Sequence, residues 1–127
     1  PETFDFLGFT FYCGKGKRSR NFCVKLKTNR KKFQQKLKAT KEWLYENRTM
    51  PVKEMISKLN LKLIGHYKYY GVSHNSAKIG AFLHFIQRYL YKVLNRRSNK
   101  RSYTWDGYIE MLKVYPLAKP KIYVKLF

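Results

Sequence analysis

Acidic residues are scarce in this chain: 7 Asp+Glu stand against 28 Lys+Arg in 127 residues, a formal net charge of +21 at pH 7. The seven are Glu2, Asp5, Glu42, Glu46, Glu54, Asp106 and Glu110, and none forms an Asp-Asp or Asp-x-Asp pair. Two-metal phosphoryl transfer and acid–base hydrolysis both need clustered carboxylates, so neither is expected here. Histidine is as sparse. His66, His74 and His84 lie on different segments, with no two at the spacing that brings metal ligands together on a helix. His66 flanks an apolar stripe and reads as a hydrogen-bonded structural histidine rather than a ligand. The two cysteines, Cys13 and Cys23, fit no zinc pattern and are expected to be reduced, packed neighbours on a hairpin. Gly14 and Gly16 lack the Gly-Lys-Ser/Thr ending of a phosphate-binding loop, which leaves a turn as the better reading. No catalytic residue, metal or cofactor is therefore expected of this chain.

Long apolar runs are missing too. No stretch of about 18 uncharged apolar residues occurs, and no short apolar segment follows a basic start, so the chain is expected neither to span a membrane nor to be secreted but to be cytoplasmic. It opens on Pro1-Glu2-Thr3 rather than methionine, as expected of a segment cut from something longer. What is plentiful is core material: 44% of residues are hydrophobic and 17% aromatic, spread along the chain. One domain or slightly more is expected, burying about 60–70% of its unfolded surface. A net charge of about 2–8 suffices for solubility. The excess here implies a polyanionic partner, with nucleic acid ahead of a membrane surface because each helical stripe is sized for a shared core.

The pattern predicts a mainly α fold behind an N-terminal β-hairpin. Residues 4–13 are aromatic with partial alternation and residues 21–27 alternate cleanly, around a glycine-containing tip that carries Lys15, Lys17, Arg18 and Arg20. Thr28 or Asn29 is expected to cap a first helix to about Asn47, with Phe33, Leu37, Thr40 and Leu44 inward. Pro51 suits the first turn of a second, whose stripe Val52, Met55, Ile56, Leu59, Leu63, Tyr67 and Tyr70 ends at Gly71. Leu61 and Ile64 point away from that stripe, as if toward a missing part of a parent protein. Asn75 or Ser76 should cap a third helix with Ile79, Phe82, Leu83, Ile86, Leu90, Val93 and Leu94 inward. Residues 95–102 read as a basic linker with nothing for a core. Thr104 caps a short fourth helix to about Val114, and Pro116 and Pro120 enforce an extended tail.

Several ordered blocks resemble one family. Phe4-Asp5-Phe6-Leu7-Gly8-Phe9 looks like the last palm block of a group II intron reverse transcriptase. Phe33-x-x-Lys36-Leu37 and Leu59-Asn60-x-x-Leu63-Ile64-Gly65-His66-Tyr67-x-x-Tyr70-Gly71 resemble its thumb, or maturase-specific domain. The run from Leu94 to Trp105 and the closing Pro116 to Ile122 look like the region that follows. The resemblance implies an RNA-directed DNA polymerase parent, using Mg, that binds its own intron RNA, assists splicing and drives retrohoming of a mobile element into DNA. The Tyr-Ala-Asp-Asp motif of such a parent would lie upstream of Pro1, so polymerase activity is not expected of this segment. A His-rich or Cys-paired endonuclease region is likewise absent from the sequence.

Three parts are expected: residues 1–27 a palm hairpin, 28–97 the thumb, and 98–127 linker, short helix and tail. Expected partners are group II intron RNA, an RNA/DNA template–primer duplex and the remainder of the parent, with no membrane. Taken singly, helical lysines read as a solvated face; clusters read as phosphate contacts. The clusters are Lys15, Lys17, Arg18 and Arg20 at the tip, Arg30, Lys31 and Lys32 at the start of helix one, and Arg96, Arg97, Lys100 and Arg101 in the linker. Rival readings are a structural RNA binder of ribosomal type and the DNA-binding module of a recombinase.

Overall fold

The first aromatic run is broken at Leu7-Gly8, where both residues take positive φ, 54° and 86°, and the chain reverses. A computed structural model of the chain describes residues 3–15, 22–97 and 102–125. In it the expected two-stranded hairpin is a three-stranded antiparallel sheet in the order β1 (Thr3–Phe6), β2 (Phe9–Lys15), β3 (Phe22–Thr28). Paired positive φ values make the tight turn that matches strand twist, but a leucine there is strained. Tertiary bonds hold it: Tyr69 Oη donates to the Leu7 carbonyl at 2.6 Å, and Asn29 N–H donates to the Gly8 carbonyl at 2.8 Å. A Cβ on Gly8 would sit 2.8 Å from Tyr70 Oη, so that position must stay bare. Cys13 faces Val24 and Cys23 faces Gly14 across the ladder; Cys13 is free and exposed, not packed as expected.

Among the described residues four helices follow: α1 (Arg30–Glu46), α2 (Val52–Tyr70), α3 (Ser76–Leu94) and α4 (Trp105–Val114). Asn29 caps α1, its side chain accepting from Lys32 N–H at 3.0 Å, and Thr104 caps α4 by accepting from Gly107 N–H at 3.1 Å. Pro51 stands one residue earlier than expected, at the N-cap of α2. The helices run up, down, up. Phe33 meets Phe82 and Phe85 while Lys41 lies over Tyr89, so α1 and α3 are parallel; Lys62 lies over Trp43 near the far end of α1, so α2 runs opposite.

The stripes converge on one core. Leu44, Met55, Leu59, Leu63, Tyr67, Ile86, Leu90, Val93 and Leu94 are fully buried, with Phe33, Leu37, Ile79 and Phe82 beside them. Thr40 and Leu83, expected inward, are half-buried, and the Thr40 hydroxyl donates back to the Lys36 carbonyl. Leu61 points to solvent as expected, at 72% exposure. Tyr108 seals the α4 side, its hydroxyl donating to the Gln87 carbonyl at 2.6 Å. Asn75 is a correction. It occupies the N-cap position of α3 without capping it, because its side chain is wholly buried and bonded to Thr28 and Tyr70.

Two polar segments prove structural. Asn95, read as linker, exchanges two hydrogen bonds with the Tyr103 backbone and so fixes the return from α3 to α4. The proline-rich tail lies along α2. Asn60 bonds both the Pro116 carbonyl and Ala118 N–H, Tyr67 Oη donates to the Ala118 carbonyl, and Val72 bridges Val124 in parallel. Gly71 has an ordinary φ of −79°, and its role is proximity: a Cβ there would run into the carbonyls of Tyr67 and Lys121.

His66 is buried as expected, but neither ring nitrogen has a hydrogen-bond partner. Its ring stacks on Phe82 with centroids 3.8 Å apart. Burial, aided by the charge of Lys36, pushes its pKa down to about 4, so it is neutral near pH 7.

Candidate nucleic-acid interface

Carboxylates cancel little of the basic charge. Among the described residues two ion pairs form, Lys58 with Glu54 and Lys113 with Glu110, both exposed. Exposed pairs of this kind contribute at most about 1 kcal/mol and leave the surrounding field strongly positive.

Of the expected contact residues, Arg30, Lys31 and Lys32 stand together and exposed on the first turn of α1. Arg96 is exposed and Arg97 half-buried just past the other end of α3. Because α1 and α3 are parallel, these two groups lie at opposite ends of the bundle, about 27 Å apart at 1.5 Å per helical residue. They do not form one patch. Lys15 closes β2, while Lys17, Arg18, Arg20, Lys100 and Arg101 lie outside the described residues.

Three depressions along the α3-facing shoulder of α1 lead from one end toward the other. The first, ≈ 630 Å³, lies between sheet, α1 and α3 and gathers Lys27, Arg30 and Lys78 around Phe85. Arg30 and Gln34 also line the second, which adds Lys31 and Lys38. Lys38 then lines the third, with Lys41, Tyr45 and Tyr89. Arg48 lies over the Tyr45 ring at 4.1 Å and Lys41 is 5.3 Å from the Tyr89 ring centre, so cation and aromatic face alternate along the row. Asp5, Glu42 and Glu46 border it without cancelling its excess. Such a row can track a phosphate backbone and offer Phe85 and Tyr45, both close to half-exposed, as faces for bases.

Sequence reasoning missed Lys27, Lys78, Phe85 and Tyr89 as members of this row. The α1 contribution had a readable signal, since Gln34, Lys38, Lys41 and Tyr45 recur at helical spacing beside the apolar stripe. The α3 and strand contributions had none, because only packing brings them alongside.

The model of one family, the group II intron maturase-specific domain, matches residues 30–108, which is more than half of the chain. No curated protein and no solved structure matches it. The matched stretch runs from the basic first turn of α1 to the Tyr108 that seals α4 against α3, which is the helical body just described. On that match the chain belongs to the group II intron maturase-specific domain family.

Proposed function

We propose that this domain binds group II intron RNA to assist its splicing, and that within a longer parent the same surface grips the template–primer duplex of an RNA-directed DNA polymerase. The observation that carries the reading is the row of cations and aromatic faces along α1, from Lys27 and Arg30 to Arg48, on a chain of net charge +21. Phosphate contacts supply the affinity and unpaired bases stack on the exposed rings. The contribution is binding and positioning; chemistry belongs to the parent, where the metal-binding carboxylates would reside. The tip cations Lys15, Lys17, Arg18 and Arg20 and the linker cations Arg96, Arg97, Lys100 and Arg101 are proposed as further phosphate contacts.

The test is a filter-binding series with structured group II intron RNA across increasing salt, competed by duplex DNA of equal charge. Log affinity should fall linearly with log salt, and duplex DNA should compete poorly. Affinity that is flat with salt, or equal affinity for duplex DNA, overturns the reading. Primer extension by the pure domain would also overturn the division of labour.

A further inference from the structure

Gly65 leaves an opening midway along α2, with nothing within 4 Å of where its Cβ would be. The opening belongs to a groove of ≈ 510 Å³ on the α2-facing shoulder of α1, away from Lys38 and Lys41. Its lining includes Lys36, Lys62, His66, Tyr69 and Phe82. That volume falls within the range of small-ligand pockets, about 300–1,000 Å³. We propose that this groove takes one unpaired nucleotide, with the base held by Tyr69 and His66 and its phosphate by Lys36 and Lys62. The proposal rests on the RNA-binding reading above and names a site outside the row along α1.

His66 carries the argument. It is 7% exposed, and among the described residues its two ring nitrogens are the buried side-chain polar atoms left without a partner. Native interiors rarely leave such atoms unsatisfied, and an orphan at a groove marks a missing partner. A neutral imidazole presents one N–H donor and one bare acceptor nitrogen. A base edge, carrying both donors and acceptors, can partner whichever nitrogen faces the groove, whereas a phosphate, which only accepts, can serve only the N–H.

The walls agree with that choice. Tyr69 is 51% exposed, yet its ring is fixed by the bond from its hydroxyl to Leu7 and by stacking on Phe9, so a half-open aromatic face stands ready. Phe82 holds the imidazole plane from behind at 3.8 Å. Lys62 stands over the Trp43 ring at 4.9 Å, keeping an ammonium at the rim. The His66 nitrogens are shut off from solvent, so a base meets them only once side chains of the groove lining shift. A base in a duplex has both faces stacked and its pairing edge occupied, so the groove selects unpaired nucleotides.

The experiment uses the full chain and fluorescence anisotropy with a short single-stranded oligoadenylate, the same strand with its bases removed, and duplex RNA of equal charge. The intact strand should bind at least about tenfold more tightly than the abasic one, as expected for one well-held base. His66→Phe keeps the ring on Phe82 but removes both nitrogens. Gly65→Leu fills the opening and, at a mid-helix glycine, should leave thermal stability equal or higher. Each variant should lower the intact-to-abasic ratio about tenfold, to what bases stacked on Phe85 and Tyr45 leave, without changing binding of the abasic strand or the duplex. Displacement of the base-dependent part by AMP alone would support the groove and show that a free nucleotide enters it; resistance to AMP with the ratio lowered in both variants assigns it to nucleotides within a strand. A ratio that survives both variants overturns the groove while leaving the RNA-binding reading intact. Failure of every RNA to bind overturns the RNA-binding reading itself.

Discussion

The Asn75 carboxamide is doubly bonded to Thr28: its Oδ1 accepts from Thr28 N–H and its Nδ2 donates to Thr28 Oγ1, each at 2.8 Å. The same Nδ2 donates to the Tyr70 carbonyl at 2.9 Å. One wholly buried side chain thus joins the end of the sheet, the end of α2 and the start of α3. Replacing it leaves buried donors and acceptors of Thr28 on β3 and Tyr70 on α2 unpaired, each costing about 1–3 kcal/mol.

Asn75→Ala should therefore lower unfolding free energy by about 2–4 kcal/mol, read as a lower urea midpoint. A change below about 0.5 kcal/mol would mean that water replaces the carboxamide.

Leu59→Ala and Leu63→Ala each empty a fully buried position and should cost about 2–5 kcal/mol. Leu61→Ala, two residues from either, should change stability by less than about 0.5 kcal/mol, because that side chain is 72% exposed. Thermal melts of the three variants give the comparison, and a Leu63→Ala variant melting like the parent chain would refute the packing described.

Stability should depend on pH through His66. Its folded pKa of about 4 lies below the unfolded value of 6.5. Above pH 6.5 both states are neutral at this site and it contributes no slope. As pH falls from 6.5 toward 4 the unfolded chain takes up a proton that the folded chain refuses, so stability drops across that window, by about 3 kcal/mol in all. His66→Phe should flatten that part of the profile in urea unfolding series run between pH 7 and about pH 4.

Neutralising Arg30, Lys38 and Lys41 together to Gln should weaken binding of structured RNA and reduce the salt slope by up to about 0.9 per lost duplex phosphate contact. Neutralising Arg96 and Arg97, just past the end of α3, should do the same. Arg30 lies about 27 Å from Arg96 but Lys41, beside Tyr89, only about 10 Å from it, so the two sets should add in log affinity only in part. Melting temperatures should hold or rise, since like charges are removed. A collapsed melt in either set would place those cations in the fold instead of on the interface.

Helix identity and phase were legible in the sequence because they depend on local periodicity. Leu59, Leu63 and Tyr67 at helical spacing leave one way to bury the stripe, and Asn29 and Thr104 cap with bonds made inside their own first turn. The net charge of +21 likewise called for a polyanion without reference to any fold. What only the tertiary structure decided are relations between residues far apart in the chain. Leu7 turns because Tyr69 and Asn29 hold its loop, Asn75 abandons capping because Thr28 and Tyr70 reach it first, and Gly71 is bare because Lys121 crosses there. His66 has no partner for the same kind of reason: Phe82 stacks against its ring from another helix, and packing fixed the plane without providing a hydrogen bond. Local sequence sets the backbone's preferences within a turn or two, but which side chains share a surface depends on how parallel α1 and α3 lie together. That packing alone set Lys78 and Phe85 beside Arg30 and left Arg96 at the opposite end.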